Sequence, residues 1–146
     1  MFSVTKQFPP FSYSHCLPWG GPCGNTHGHN GVLEVEFSSK TFKEFGSKNL
    51  KDKYDNMVLD FHEIKNLVGP IAQSLDHTDL NKTLPEIFQP PTAENIVRYV
   101  LCCIMDGYGH EKWGNVNSVH VSRIRVYETP TSWAEWRRDY EKTEGE

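Results

Sequence analysis

No stretch of this 146-residue chain approaches the roughly 20 consecutive apolar residues that a membrane-spanning helix needs. The first residues carry no basic-then-apolar leader and reach Pro9-Pro10 almost at once, so nothing in them reads as a targeting or anchoring signal. Basic residues are too few for a nucleic-acid partner. There are 15 Lys and Arg against 19 Asp and Glu, a net charge of -4, and no basic stripe interleaves with aromatics. Cysteine is scarce too: of four, Cys102 and Cys103 are adjacent in a helical pattern and diverge, which excludes a disulfide framework. A reducing, cytoplasmic setting is therefore the expectation. No internal repeat or composition shift divides the chain, so residues 1–146 are expected to form one domain, able to bury a core without a disulfide or a structural metal.

What the chain does have is a concentration of imidazoles and one thiol, His15 followed by Cys23-Gly24-Asn25-Thr26-His27-Gly28-His29. In extended backbone alternate side chains share a face, so His27 and His29 present two nitrogens to one ion, with Gly28 leaving the space between them open. His15 ends a strand-like Phe11-Ser12-Tyr13-Ser14 stretch, and the Pro/Gly-rich turn from Pro18 to Pro22 folds it back beside the pair. Three nitrogen ligands leave a fourth position for water or substrate, as in catalytic zinc. Two readings of Cys23 stand at this point. As fourth ligand it closes a structural staple; beside the metal but off it, it is a thiol whose pKa nearby positive charge lowers.

Gly31 to Phe37 alternates Leu33, Val35 and Phe37 with Glu34 and Glu36, a half-buried antiparallel strand continuing from the histidine pair. Ser38 to Asn56 is polar and Lys-rich and reads as a long solvated connection, and Met57 to Phe61 as a short apolar strand. Ile64, Leu67, Val68, Ile71 and Leu75 predict a helix from Phe61 to Leu75, kinked or interrupted at Gly69-Pro70. Asp76 to Leu84 reads as a loop. A second helix opens at the N-cap Thr92, with Ile96, Val97, Val100, Leu101, Ile104 and Met105 as its apolar stripe. Val116 to Glu128 is a strand whose alternation slips once near Ser122, where a bulge accounts for it. Trp133, Trp136 and Tyr140 form an amphipathic tail that covers a subunit edge or a neighbour. Strands, helix, helix, strand predict an α+β domain with helices on one face of an antiparallel sheet.

Two more constellations carry chemistry. Asp76 can fix the tautomer and basicity of His77 for proton transfer near neutral pH, although a loop His beside an Asp is also a common surface feature. Glu128 ends an apolar strand on the same side as Ile124 and Val126. There it either pairs with something, such as the two parallel N–H donors of an amidine-like ligand edge, or simply reaches solvent.

Taken in order, Phe11-Ser12-Tyr13-Ser14-His15, Cys23-x3-His27-Gly28-His29-Asn30, Met57-Val58-Leu59-Asp60-Phe61, Leu75-Asp76-His77-x2-Leu80-Asn81, Pro91-Thr92-Ala93-Glu94-Asn95 and Val126-Tyr127-Glu128-Thr129 resemble the 6-pyruvoyl tetrahydropterin synthase / 6-carboxy-tetrahydropterin synthase family. The resemblance implies the tunnelling fold, a four-stranded antiparallel sheet with two helices that assembles into a trimeric barrel, two trimers stacking into a hexamer with active sites between subunits. It also implies His15, His27 and His29 as zinc ligands, Cys23 off the metal as the base, and His77 oriented by Asp76 as its proton-relay partner. Glu128 becomes the anchor of the pterin's 2-amino-pyrimidinone edge and a member of the charge relay, with Thr92 near the same pocket. The implied substrate is 7,8-dihydroneopterin triphosphate. Three residues between Cys23 and the His-Gly-His run, the Asp60-Phe61 pair and the Pro-Thr-x-Glu-Asn helix start resemble the carboxy branch. That branch releases acetaldehyde and triphosphate in queuosine and 7-deazapurine biosynthesis; the alternatives are the pyruvoyl-forming triphosphate lyase and a silent zinc or pterin-binding module. Two positions depart from the family pattern beside the ligands: Tyr13 stands where a small residue is usual, and Gly31 where an aromatic is frequent.

Overall fold

In the computed structural model, which describes residues 1–39, 57–107 and 119–140, the alternating segments pair as one sheet. Its strands are β1 (Phe2–Gln7), β2 (Phe11–His15), β3 (His27–Ser39), β4 (Thr78–Asp79), β5 (His120–Thr129) and β6 (Ser132–Arg137). The order is β4-β2-β3-β5-β6, with β1 also paired to β3. Every pairing is antiparallel except that of the two-residue β4 with β2. The helices are α1 (Phe61–Leu75), the single turn α2 (Leu80–Thr83) and α3 (Ala93–Gly107).

The long strand β3 organises the fold because its 13 residues take β1 and β2 along one edge and β5 along the other. Leu33, Val35 and Phe37 from β3 and Ile124 and Val126 from β5 are fully buried in one core with Ile64 and Val68 of α1 and Ile96, Val100 and Ile104 of α3. Each such side chain contributes about 1.5–3 kcal/mol by leaving water. The opposite face is ionic. Arg123 Nη2 lies 3.1 Å from Glu34 Oε1 and 3.2 Å from Glu36 Oε2, and Gln7 Nε2 donates to Glu34 Oε2 at 2.8 Å. Arg125 pairs with Glu135 next door, so the carboxylate of Glu34, 7% exposed, is compensated rather than stranded.

The α+β architecture is the expected one, and the slip in β5 is a real irregularity. Glu36 pairs with Arg123 but Phe37 with Val121, leaving Ser122 as the extra residue; its hydroxyl accepts from Ser38 Oγ at 2.7 Å and donates to Glu36 Oε1 at 2.8 Å. The strand inventory needs correction. Met57–Asp60 is not a strand: Val58 and Leu59 enter the core and Asp60 caps α1, its side chain accepting from His62 N at 2.9 Å. Among the described residues the sheet has six strands rather than four. Trp133 and Trp136 belong to β6, which folds back on β5 instead of leaving as an amphipathic tail. The expected loop after α1 contains β4 and α2, and α1 runs unbroken through Pro70, which sits on its exposed side. Met105 is exposed rather than part of the buried stripe of α3. Most of the expected Ser38 to Asn56 connection, and residues 116–118 of the expected last strand, lie outside the described residues. Among the described residues no helix is long and apolar enough to cross a membrane.

Gly31 is sterically coupled to Phe11 and Tyr13. A Cβ at Gly31 would lie 2.7 Å from Phe11 Cζ, 3.0 Å from Phe11 Cε2 and 3.0 Å from Tyr13 Cε1, so the Phe11 ring, with the edge of Tyr13, occupies the space that a side chain at position 31 would take. Gly31→Ala should therefore destabilise the protein by about 1–3 kcal/mol in urea unfolding, through overpacking. The same substitution in a Phe11→Ala background should cost clearly less, and equal losses in both backgrounds would show that Phe11 does not fill that space.

Candidate functional site

The β2–β3 ladder places His15 opposite His27 and Tyr13 opposite His29. All four side chains therefore lie on the face of the sheet that carries the core, and the imidazole centroids are 4.5, 5.1 and 5.0 Å apart for the pairs 15–27, 15–29 and 27–29. One nitrogen from each ring falls within 4.8 Å of the others, the spacing of a metal ligand set. Cys23 is outside this group, exposed in the short turn Pro22–Gly24.

Backbone carbonyls set the tautomers. His15 Nδ1 is 2.7 Å from Pro91 O, and His27 Nδ1 is 2.7 Å from Asn25 O. Since a carbonyl only accepts, both Nδ1 atoms carry the proton and both Nε2 lone pairs are free. His15 is 1% exposed, and its Nε2, like that of His29, is buried with no hydrogen-bond partner. Two buried ring nitrogens left without hydrogen bonds side by side are costly unless a ligand joins them, and with neutral rings a metal ion fits. Burial, reinforced by the neighbouring His15 and His27, pushes the pKa of His29 below the ordinary histidine range against the opposing pull of Glu128. The neutral, ligating form is thereby favoured.

The second line of residues comes from α3 and β5. Glu128 points to the same face as Ile124 and Val126, and its Oε1 lies 3.2 Å from His29 Nε2, a close approach without hydrogen-bond geometry. Thr92 caps α3, its hydroxyl accepting from Asn95 N at 3.1 Å. Glu128 and Thr92 line a cleft of about 260 Å³ with Leu17, Trp19 and Trp133. The turn before His27 is tightly built, since a Cβ at Gly24 would lie 2.7 Å from Trp19 O.

Asp76 and His77 sit elsewhere. His77 adopts a left-handed backbone (φ 55), rare for a residue with a Cβ, and its N–H donates to Ser12 O at 2.6 Å. Asp76 accepts from Ser12 N at 2.7 Å and from His77 Nδ1 at 2.8 Å. These bonds, that from the Ser12 amide first, hold the Asp76 carboxyl below the usual carboxylate range. His77 is thus protonated on Nδ1 and largely exposed, at the β2 edge of a second cleft of about 490 Å³ that Ser12, Ser14 and Asn30 also line. Ser12 and Ser14 alternate with Tyr13 and His15, so this wall belongs to the other face of the sheet. One chain brings together His15, His27, His29 and Glu128, with Thr92 beside Glu128, and keeps the Asp76–His77 pair apart from them. The carbonyls of Asn25 and Pro91 escaped sequence reasoning because backbone acceptors leave no residue signature. Tyr13 was legible only as a departure from the family pattern; its hydroxyl is buried and its pKa is raised by burial and by the Glu128 charge.

The model of the 6-pyruvoyl tetrahydropterin synthase family matches residues 3–139. A protein of Archaeoglobus fulgidus provisionally named 6-carboxy-5,6,7,8-tetrahydropterin synthase is 33% identical over 128 residues, which cover 88% of this chain and 90% of that one. The 6-carboxy-5,6,7,8-tetrahydropterin synthase of Haemophilus influenzae is 32% identical, covering 94% of this chain and 99% of its own. Among solved structures, the 6-pyruvoyl tetrahydropterin synthase of Caenorhabditis elegans superposes with a TM-score of 0.67 at 22% identity, over 95% of this chain and 98% of that one, and so shares the fold.

Because the Asp76 carboxyl is held below its unfolded value near 3.9, its stabilising effect is present above that pH and lost as pH falls through the lower folded value. Asp76→Asn should accordingly lower Tm at neutral pH, with the gap to the parent protein closing below about pH 4. A gap that persists unchanged into acid would assign the loss to shape rather than charge.

Proposed function

This chain belongs to the 6-pyruvoyl tetrahydropterin synthase family, and from that premise we propose that it is a zinc-dependent 6-carboxy-5,6,7,8-tetrahydropterin synthase, a lyase acting on 7,8-dihydroneopterin triphosphate. The observation that carries this reading is the convergence of three imidazoles, two with buried and unpaired Nε2 atoms, next to a carboxylate on the same face. The carboxy branch is supported by the names of the relatives at 32% and 33% identity and by the three-residue spacing between Cys23 and His27.

In this reading His15, His27 and His29 hold Zn2+, which when bound supplies Lewis acidity that lowers the pKa of a coordinated hydroxyl. Glu128 accepts two N–H bonds from the 2-amino-pyrimidinone edge and fixes the ring, with Thr92 beside it; the Thr92 hydroxyl still has a proton to donate. The Cys23 thiolate takes a proton from the side-chain carbon next to the ring, and His77, oriented by Asp76, returns one. Loss of triphosphate and carbon–carbon cleavage with uptake of one water, whose oxygen enters the new carboxyl group, then yield 6-carboxytetrahydropterin, acetaldehyde and triphosphate. The separation of the His77 wall from the histidine centre within one chain favours a site assembled between subunits. A homo-oligomer, a hexamer built from two trimeric barrels, would supply the missing half and cover the open sheet edges at β4 and β6. Residues 1–146 act as one domain of a cytoplasmic enzyme in queuosine and 7-deazapurine biosynthesis.

Incubating the zinc-loaded protein with 7,8-dihydroneopterin triphosphate, with an aldehyde trap and mass spectrometry, tests the reaction. Acetaldehyde with 6-carboxytetrahydropterin is expected. A pyruvoyl pterin without acetaldehyde would move the chain to the triphosphate lyase branch, and no turnover would leave a pterin-binding module.

Cys23→Ala should keep one zinc per chain by metal analysis while turnover falls by a factor on the order of 100 or more, the contribution of a positioned base. Loss of zinc together with Cys23 would make that residue a ligand and the centre a structural staple.

A further inference from the structure

The support of His15 extends past its ring into the main chain that follows it. His15 is the last residue of β2 to pair with β3, opposite His27, and Leu17 N, two residues on, donates to Cys23 O at 2.8 Å in the turn leading to β3. Main-chain groups of an extended strand alternate between its two sides, so Cys16 turns its N–H and C=O the other way, where β4 has already ended at Asp79. Asn81, in the single turn α2, takes the place of a strand there. Its Oδ1 accepts from Cys16 N at 2.8 Å and its Nδ2 donates to Cys16 O at 2.9 Å. The same segment grips the other end of β2: Ser12 N donates to Asp76 Oδ1 at 2.7 Å, and Ser12 O accepts from His77 N at 2.6 Å. Tyr13 and Ser14 pair with Thr78 and Asp79 in between. Gln89 closes the frame. Its Nε2 donates to Leu80 O at 2.9 Å and to Asn81 O at 3.3 Å, two residues before the Pro91 carbonyl that receives His15 Nδ1. The main chain beside His15 and the acceptor for its ring are thus tied to one turn, which the fully buried Leu80 anchors in the core.

We infer that Asn81 is a positioning residue of the metal centre, whose carboxamide stands in for a peptide group and fixes the main chain next to His15. The inference rests on the metal reading of the three histidines and adds to it a residue that acts through His15. A carboxamide is what the position needs, because it offers one donor and one acceptor to a peptide that offers the same. A carboxylate of the same shape offers acceptors only and would face the Cys16 carbonyl with an unpaired oxygen. Supports of this kind set the aim of a ligand, and their loss is read in metal affinity.

The test is the zinc affinity of the full chain, measured by competition with a chromophoric chelator, with Tm of the zinc-free protein recorded to confirm folding. Asn81 is exposed, so Asn81→Ala removes the two bonds without opening the core. It should raise the zinc Kd about tenfold. Asn81→Asp should raise it too, although an added negative charge would by itself favour a cation. Thr83→Ala removes only the bond from Thr83 Oγ1 to Asp79 O within the same turn and should leave the zinc Kd at the parent value, whatever it does to Tm. An unchanged Kd in Asn81→Ala or in Asn81→Asp would overturn the assignment. So would an equal rise in Thr83→Ala, which would make the effect one of general stability. A parent protein that binds no zinc would overturn the metal reading itself, an outcome distinct from failure of the Asn81 support alone.

Discussion

Two hydrogen bonds, from His15 Nδ1 to the Pro91 carbonyl and from His27 Nδ1 to the Asn25 carbonyl, are the constraint on which the rest of the site depends. An imidazole without a fixed tautomer divides its lone pair between two nitrogens, and a ring free to turn aims neither. Here each proton is tied to a main-chain oxygen, so both Nε2 atoms are committed as acceptors before any ligand arrives. The two carbonyls come from different places. Asn25 belongs to the turn that joins β2 to β3, whereas Pro91 immediately precedes the cap of α3. The sheet register and the docking of α3 must both be correct for the centre to exist, which ties the chemistry of the site to the global fold.

The sheet also divides the chemistry between its faces. The core-bearing side holds the histidines, Tyr13 and Glu128 in surroundings dry enough to lower the pKa of His29 and raise that of Tyr13. At the other side, the edge of β2 meets the solvent-facing His77, hydrogen-bonded to Asp76 and pinned to Ser12. Burial favours the neutral form of His29.

Much of this was legible in the sequence. The histidine spacing, the same-side placement of Glu128, the bounds of α1, the Thr92 cap and the slip at Ser122 all follow from side-chain periodicity, and periodicity is what a half-buried sheet imposes. What was missed lacks periodicity or depends on the backbone. β1 has only Phe2 and Val4 as apolar residues and is mostly exposed, so its pattern is faint. Val58 and Leu59 are buried without being paired, and an apolar run alone cannot distinguish those outcomes. Tyr13 and Gly31 were visible as two separate departures, but only the cross-strand geometry shows that the Phe11 ring and the edge of Tyr13 fill the space over Gly31.

The central claim is an open metal centre of three histidines with Cys23 nearby but uncoordinated. Zinc K-edge X-ray absorption on the purified, metal-loaded protein addresses it without requiring turnover. The account predicts a first shell of nitrogen and oxygen scatterers only, at about 2.0–2.1 Å, with the outer-shell pattern of three imidazoles. A sulfur scatterer at about 2.3 Å would place Cys23 on the metal, close the fourth position and contradict the account.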